Sequence, residues 1–256
     1  MREPSGCQGC RSATAQFDLR MAFQPIVDTV TGTVHAYEAL VRGADGRGAS
    51  EMLATLDDDN RYAFDQQCRV AAIEQAVQAG ILDTDARLSI NFMPNAVYSP
   101  VACIQLTLQT AAACGFPTDR LNFEFTENEE LDVAHTTNII DTYRRMGFTT
   151  ALDDFGAGHS GLALLARFTP DTIKLDRELV RDIDTSMPRR LIVESVLRMA
   201  AGLGIGVVAE GIETRGEFDA LRALGVRYMQ GYWLARPALG ALPPVRDLRD
   251  IASAAA

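Results

Sequence analysis

Long apolar runs are absent from the sequence. The first twenty residues lack the apolar core of a signal peptide. The most apolar later stretch, residues 191–208, is interrupted by Glu194 and Arg198. Because a membrane-spanning helix needs about 20 successive apolar residues, this stretch does not qualify. We therefore predict a cytoplasmic protein with no membrane partner.

Positive charge is also scarce. Lysine and arginine total 24 against 34 acidic residues, which gives a formal net charge of −10. A negative field of this kind disfavours polyanionic partners, so we expect no binding to DNA. It does not exclude a small phosphate ligand, because bound metal ions can invert the charge locally.

Nucleophiles and zinc ligands are few and scattered. The three histidines show no metal-ligand spacing, and we predict that they lie at the surface or in loops. No serine, cysteine or histidine stands in an arrangement with a base partner, which disfavours covalent catalysis.

Five cysteines occur, and an odd number without a signal peptide disfavours a disulfide framework. Cys68, Cys103 and Cys114 are predicted to be core or bystander thiols. Cys7 and Cys10 form one Cys-x-x-Cys within residues 1–20, which we interpret as a flexible tail. Half of a shared zinc site and a redox pair remain alternatives for these two residues.

The sequence does contain a recurring unit: a helical stretch, then a glycine, then a short β-rich run. Gly147, Gly204 and Gly225 each follow a helical stretch, where a left-handed residue commonly ends a helix. Thr214 and Glu217 have the spacing of a capping box that begins the next helix. Alternating helices and short apolar strands predict a parallel α/β sheet closed into a barrel, with a doubly wound sheet as the alternative.

The predicted strands carry polar residues on one face. In residues 121–126, leucine and phenylalanine alternate with Asn122, Glu124 and Thr126, and residues 88–92 and 172–176 alternate in the same way. Because side chains alternate faces along a strand, one face meets the helices and the other points into the barrel. Charged groups inside a barrel are costly unless they are paired or bind metal.

Polar side chains close successive predicted strands, at the end where barrel enzymes carry their active sites. They are mainly carboxylates, and all-oxygen ligand sets favour magnesium or manganese over zinc. The residues are Glu38, Asn91, Glu124, Asp153, Asp154, Lys174, Asp176, Glu210 and Gln230.

The adjacent acids Asp153 and Asp154 can reach one site only if the backbone departs from an ideal strand. We predict that the strand ends at residue 152 and that Gly156 and Gly158 supply the turn. Two cations about 3.5–4 Å apart would clamp a phosphodiester and lower the pKa of a water molecule. With Lys174 stabilising the developing charge, the predicted reaction is metal-assisted hydrolysis of a phosphate ester.

Eight motifs that contain these residues resemble the EAL-domain phosphodiesterases, from about Phe23 to about Pro237. They occur in the order typical of that family, which is far more specific than the tripeptide Glu-Ala-Leu alone. The motifs are Phe23-Gln24-Pro25-Ile26-Val27-Asp28, Glu38-Ala39-Leu40-Val41-Arg42, Ser89-Ile90-Asn91, Glu124-Phe125-Thr126-Glu127, Asp153-Asp154-Phe155-Gly156-Ala157-Gly158, Lys174-Leu175-Asp176, Ala209-Glu210-Gly211-Ile212-Glu213-Thr214 and Gln230-Gly231-Tyr232.

The resemblance implies a modified (β/α)8 TIM-type barrel with one antiparallel strand, as a single domain over residues 21–245 followed by a tail at 246–256. It also implies hydrolysis of cyclic di-GMP to linear pGpG with two divalent cations, Mg²⁺ or Mn²⁺, and inhibition by Ca²⁺. A homodimer is a further expectation.

The resemblance also implies residue roles. The first metal would be held by Glu38, Asn91, Glu124 and Asp153, and the second by Asp153, Asp154 and Glu210. Whether Glu210 acts mainly as base or as ligand stays open. Lys174 would contact the nucleophilic water, and Glu127 would hold the loop at residues 155–160. The predicted substrate-binding residues are Gln24, Leu40, Arg42, Asp176 and Gln230.

Two positions depart from the usual family pattern, at the loop Gly158-His159-Ser160-Gly161 and at Gly43, where many members have tryptophan. Neither touches a predicted metal ligand. A catalytically silent EAL domain that binds cyclic di-GMP or a protein partner is an alternative hypothesis, as is a barrel phosphohydrolase with another substrate. The presence of every predicted metal-binding acid favours the enzyme.

Overall fold

A computed structural model of the chain describes residues 15–126, 132–158 and 161–247. The strands range from 2 to 11 residues, and those at residues 87–91, 121–126 and 172–175 consist of apolar residues alternating with polar ones. Their bounds are β1 (Leu19–Asp28), β2 (Thr33–Gly43), β3 (Arg87–Asn91), β4 (Leu121–Thr126), β5 (Thr149–Phe155), β6 (Thr172–Leu175), β7 (Gly206–Ala209), β8 (Tyr228–Met229) and β9 (Ala238–Leu239).

The sheet is a closed barrel. Strands β2 to β8 are parallel, and each pairs with the next one along the chain. Strand β1 runs antiparallel and pairs with both β2 and β8, which closes the ring. The short strand β9 pairs with β1 beside Ala22 and Phe23. The predicted (β/α)8 barrel with one antiparallel strand is thereby confirmed.

Helices cover the outside of the barrel. Within the described residues, none of them is long and apolar enough to cross a bilayer. Their bounds are α1 (Ala49–Leu53), α2 (Arg61–Gln78), α3 (Pro100–Cys103), α4 (Gln105–Cys114), α5 (Val133–Arg145), α6 (Gly161–Leu165), α7 (Arg177–Val180), α8 (Met187–Leu203) and α9 (Arg215–Ala223).

Helix ends follow the sequence signals. Gly204 has a φ of 71° at the end of α8, which a residue with a Cβ adopts only at a cost. At the start of α9, the Thr214 hydroxyl accepts the Glu217 N–H at 3.2 Å, and the Glu217 carboxylate accepts the Thr214 N–H at 3.0 Å. The predicted capping box is therefore present.

The main core lies between the barrel and its helices. Leu121, Phe123 and Phe125 of β4 are fully buried there, and the Phe123 ring lies 5.0 Å from the ring of Tyr143 on α5. Asn122 and Glu124 point the other way and bond to each other at 2.9 Å inside the barrel. The period-two pattern of β4 thus separates apolar core from polar interior, as predicted.

The structure tests the expectations for the cysteines and the histidines. Cys68 and Cys103 are free and buried, as expected for core thiols. The expectation for histidine was wrong at His35, which lies partly buried in β2 with its ring 4.2 Å from that of Tyr228. The reason is that His35 and Tyr228, on the two strands that flank β1, line the same cavity, where their rings pack against each other.

An ion pair closes the seam between β1 and the segment that enters β8. Asp28 Oδ2 accepts hydrogen bonds from Arg227 Nε at 3.0 Å and Nη2 at 2.6 Å, and Oδ1 accepts the Val30 N–H at 3.0 Å. The Arg227 guanidinium holds the pKa of Asp28 below its usual value. Burial opposes this shift, and the backbone N–H groups of residues 30 and 31 add to it.

We expect Asp28→Asn to lower the melting temperature by about 2–4 °C at neutral pH, because the amide cannot replace the charged acceptor. A lowered carboxyl pKa stabilises the fold above the unfolded pKa of about 4, and this contribution is lost as pH falls through the folded value. The difference between wild type and variant should therefore shrink below about pH 4. Thermal unfolding at several pH values measures it, and a constant difference would contradict the assignment.

Candidate active site

The predicted site residues converge at the carboxyl ends of the parallel strands. Glu38 lies in β2, Asn91 ends β3, Glu124 lies in β4, and Asp153 and Asp154 lie in β5. Lys174 lies in β6, while Glu210 and Gln230 directly follow β7 and β8. The parallel order of the strands brings these residues to one end of the barrel, as expected for barrel enzymes.

Lys174 lies at the centre of the carboxylates. Its Nζ is 2.7 Å from Glu124 Oε2 and 2.8 Å from Glu210 Oε1. The same atom is 3.1 Å from Asp153 Oδ1 and 3.2 Å from Glu38 Oε2. One buried cation therefore contacts four acids from four strands or strand ends, which offsets part of their mutual repulsion.

Asp153 and Asp154 reach the same site by a route that differs from the prediction. Strand β5 does not end at residue 152 but continues to Phe155, and its pairing with β6 shifts register between Leu152 and Phe155. Asp154 has a φ of 56° in this irregular segment. A bulge turns one residue of a strand out of alternation, so both carboxylates can face the barrel end without the strand ending.

Amide side chains hold the carboxylates in place. Asn91 Nδ2 donates to Glu38 Oε1 at 2.9 Å, and Gln230 Nε2 donates to Glu38 Oε2 at 2.8 Å. Gln230 Nε2 is also 3.2 Å from Gln24 Oε1. The Glu38 carboxylate is thus oriented by donors on both of its oxygens.

Sequence reasoning missed two residues below this layer. Asn122 donates to Glu124 Oε1 at 2.9 Å and to Ser89 Oγ at 3.0 Å. Both Asn122 and Ser89 share the interior parity of their strands, and this shared parity was the signal that could have assigned them a supporting role.

Burial and charge shift the pKa values in the cluster. Burial raises the pKa of Glu124 to about 7 and, together with the neighbouring Asp153, raises that of Asp154 to about 6. Burial also raises the pKa of Glu210 well above its usual value. For Glu38, burial acts in the same direction, but Lys174 and the two amide donors outweigh it and the pKa falls. The surrounding acids outweigh burial and raise the pKa of Lys174.

Two carboxylate groups have the spacing of metal sites. Glu38, Glu124 and Asp153 form one, and Asp153, Asp154 and Glu210 form the other, with the ligand atoms of each group within 4.8 Å of one another. Asp153 belongs to both groups, as a bridging ligand would. The donors are all oxygen, so the residues fit Mg²⁺ or Mn²⁺.

A cavity of about 550 Å³ opens above the carboxylates. Gln24 and Leu40, two of the residues predicted to bind substrate, line it. Sequence reasoning missed three further lining residues, Arg177, Glu213 and Tyr232, of which the last two lie within quoted motifs.

The remaining predicted residues lie around the edge of the cluster. Arg42 lines a neighbouring cavity and donates to the Val41 carbonyl at 2.8 Å. Asp176 caps helix α7 by accepting the Glu178 N–H at 2.7 Å, and its charge contributes to the raised pKa of Asp154. Glu127 lies outside the described residues, as do Cys7 and Cys10.

Gly231 explains how the segments after β7 and β8 come together. A Cβ at this position would lie 2.2 Å from the Ile212 carbonyl oxygen and 2.3 Å from its nitrogen. The close approach allows the Ile212 N–H to donate to the Gln230 carbonyl at 3.2 Å. Glycine at 231 therefore fixes Gln230 relative to the segment that carries Glu210.

Solved structures resemble this chain closely. A standalone versatile EAL protein from Vibrio cholerae O395, in its c-di-GMP bound form, is 45% identical with a TM-score of 0.86, over 91% of this chain and 98% of the other. A manganese and cyclic di-GMP complex of Klebsiella pneumoniae BlrP1 is 37% identical with a TM-score of 0.81, over 89% of this chain and 57% of the other.

Two curated relatives come from Escherichia coli K12. The probable cyclic di-GMP phosphodiesterase PdeN is 31% identical over 85% of this chain and 43% of its own length. The blue light- and temperature-regulated antirepressor BluF is 29% identical over 88% of this chain and 55% of its own length. The chain thus spans about half the length of these relatives.

One family model matches most of the chain. The model described as the EAL domain matches residues 10–237, a range that contains the whole carboxylate cluster and the barrel around it. The chain belongs to the EAL domain family.

Proposed function

We propose that the chain is a metal-dependent phosphodiesterase that hydrolyses cyclic di-GMP to linear pGpG. The observation that carries the proposal is the pair of carboxylate groups that share Asp153 at the floor of an open cavity, with Lys174 between them. The cyclic di-GMP complexes of the similar structures and the name of PdeN support the choice of substrate.

The proposed metal ligands are Glu38, Asn91, Glu124 and Asp153 on one side and Asp153, Asp154 and Glu210 on the other. Bound divalent cations would polarise the phosphoryl oxygens and lower the pKa of a water molecule. The Asn91 side-chain N–H donates a hydrogen bond to Glu38. The side-chain carbonyl oxygen of Asn91 would therefore be the atom that binds a cation. The manganese in the BlrP1 complex supports this metal class.

Lys174 and Glu210 are the proposed groups for the chemical step. Lys174 Nζ is fully buried among the acids, from where it would orient the attacking water and stabilise charge on the phosphoryl oxygens. Glu210 lies 2.8 Å from this nitrogen and would serve as base or as ligand. Gln24, Leu40 and Arg42 would contact the substrate, supported by Gln230 and Asp176, and Glu127 would hold the adjoining loop.

We expect turnover to depend wholly on added metal. Purified protein is stripped with a chelator and incubated with cyclic di-GMP, and pGpG is followed by chromatography. Formation of pGpG should fall below detection and return with excess Mg²⁺ or Mn²⁺, while Ca²⁺ should inhibit, because it takes larger and less regular coordination. Hydrolysis that persists in chelator would contradict the metal mechanism.

The same assay separates the enzyme from a receptor. BluF is named as an antirepressor, so it is the relative that motivates the non-enzymatic alternative. Tight binding of cyclic di-GMP with no pGpG in either metal would favour the silent domain, and cleavage of other phosphodiesters alone would favour a different substrate. A homodimer stays a prediction.

A further inference from the structure

A separate cavity of about 250 Å³ lies inside the barrel, at the end opposite the active site. We call it the lower cavity. The residues that place it at the amino ends of the parallel strands are the first of β3, β5, β6, β7 and β8, namely Arg87, Thr149, Thr172, Gly206 and Tyr228. Among the described residues it shares no lining residue with the active-site cavity, and Glu124 and Lys174 stand between the two spaces.

Small side chains leave the lower cavity open. The interior of a barrel of this kind is usually filled by layers of bulky branched residues. Here the interior positions include Ala36, Ser89, Ala151 and Gly206. The volume is slightly below the roughly 300–1,000 Å³ of pockets for drug-sized ligands, so the space suits a smaller molecule.

A bulge in β2 turns His35 into this cavity. In the β1–β2 ladder, two successive residues of β1 pair with Ala36 and Val34, so His35 is an extra residue without a partner in the ladder. Val34 packs against the core outside the barrel, whereas Ala36 belongs to a small apolar cluster inside it. Strict alternation would have pointed His35 outward. Bulges re-aim side chains in this way beside functional sites.

The lower cavity has an apolar wall and a polar wall. On the apolar wall, Ile26, Ala36 and Val208 pack together with Tyr228, whose ring lies 4.2 Å from that of His35. The polar wall comes from β3 to β6 and includes Arg87, Ser89, Asn122, Thr149 and Thr172. Two walls of this kind suit a ligand with an apolar body and a polar head group.

Arg87 supplies a cation for that head group. It is paired with Ala36 across the β2–β3 ladder, so it stands beside the apolar wall. Its Nη1 donates to the Asp119 carbonyl at 2.9 Å, and no ion pair within the described part of the chain involves it. Burial lowers the pKa of His35, the charge of Arg87 lowers it further, and Asp28 opposes both effects. The charge of Arg87 therefore acts inside the cavity.

The two carboxylates that line the lower cavity are engaged by other groups. Asp171 Oδ2 accepts the N–H of Thr150 at 2.8 Å and its hydroxyl at 3.1 Å. Glu124 accepts hydrogen bonds from Lys174 at 2.7 Å and from Asn122 at 2.9 Å. Neither of them pairs with Arg87, so its guanidinium is left for a ligand.

We propose that the lower cavity binds a small organic carboxylate. Its carboxyl group would pair with Arg87, and its apolar body would pack against Ile26 and Tyr228. A guanidinium matches a carboxylate through two parallel hydrogen bonds. An inorganic anion would leave the apolar wall without a partner, and a neutral molecule would leave Arg87 unpaired. The binding is independent of the proposed hydrolysis, which takes place at the other end of the barrel.

The test uses benzoate, which joins one carboxylate to one aromatic ring, and benzamide, its neutral counterpart of the same shape. NMR titration measures both affinities in wild type, in Arg87→Gln and in the control Arg222→Gln on the exposed face of α9. Wild type and control should bind benzoate about tenfold more tightly than benzamide, because its hydrogen bonds are charge-assisted. Arg87→Gln should weaken benzoate binding about tenfold and change benzamide binding less than about twofold.

Ala151→Val tests the location without removing a charge. The added methyl groups occupy part of the lower cavity, so this variant should bind both probes at least about threefold more weakly, and its melting temperature shows that it folds. Absence of benzoate binding in wild type at millimolar concentration would mean that the cavity holds only water. Equal benzoate affinity in wild type and Arg87→Gln, or an equal loss in Arg222→Gln, would also overturn the site. Inorganic phosphate binding as tightly as benzoate would refute the role of the apolar wall.

Discussion

Glu38→Gln is expected to reduce the turnover of cyclic di-GMP by more than about 100-fold, since even supporting residues around a metal typically contribute 10–100-fold. Both oxygens of Glu38 accept hydrogen bonds, from Asn91 and from Gln230, and one lies 3.2 Å from Lys174. A glutamine loses the charge and must place its NH₂ group against one of these donors. The proposed ligand and its fixed orientation are lost together.

A control variant in the same cavity separates this effect from a change in net charge. Glu213→Gln removes one negative charge from an exposed acid that lines the cavity and pairs with Arg177 but belongs to neither carboxylate group. Its turnover should stay within about threefold of wild type. Mn²⁺ should raise the melting temperature of wild type and Glu213→Gln, because a bound ligand stabilises the fold, and much less that of Glu38→Gln. Near-normal turnover in Glu38→Gln would show that the site is misassigned.

The barrel could be predicted because its signals are local. The alternation in β4, the glycine at the end of α8 and the capping box of α9 each depend on a few neighbouring residues, and the structure contains all three. The antiparallel course of β1 was implied only by family resemblance. Residues 19–28 alternate in the same way whichever direction the strand takes, and the direction is set by its pairing with β2 and β8.

The convergence of the site residues was also predictable, since each of them except Glu38, which lies in the middle of β2, stands near the end of a strand. The contacts between the side chains within the site could not be predicted. The bulge in β5 depends on how β5 pairs with β6, and the sequence there suggested a strand that ends. Contacts such as Asn122 with Ser89 join neighbouring strands, so they follow from the register of the sheet rather than from either strand alone.

A buried ion pair on α2 was beyond sequence reasoning for a similar reason. Asp65 and Arg69 are four residues apart on a helix, a spacing typical of exposed pairs. Here the side chains are 1% and 0% exposed, with Arg69 Nη2 2.7 Å from Asp65 Oδ2. Arg69 also donates to the Tyr143 hydroxyl at 3.0 Å, and its guanidinium carbon lies 5.3 Å from the centre of the Phe92 ring. Only the packing of α2 on the barrel buries these groups.

Arg69→Met is expected to reduce the free energy of unfolding by about 3–5 kcal/mol, because it leaves the Asp65 carboxyl buried without its cationic partner. For a domain of this size the melting temperature should fall by about 10 °C. Asp65 cannot simply be removed as well: its Oδ1 accepts the Met93 N–H at 2.9 Å, close to Asn91 at the end of β3. We therefore expect Asp65→Leu/Arg69→Met to recover stability only in part, since the Met93 N–H then lacks its acceptor.

Arg198→Met provides the matched control for this loss. Arg198 is 70% exposed on α8 and lies 3.6 Å from Glu194, so the same substitution removes a solvated ion pair. Its effect should stay within about 0.5 kcal/mol. Urea unfolding of the three variants and wild type measures the differences. Equal midpoints for Arg69→Met and Arg198→Met would mean that the buried pair contributes no more than a surface one, and that the packing of α2 depends on its apolar contacts alone.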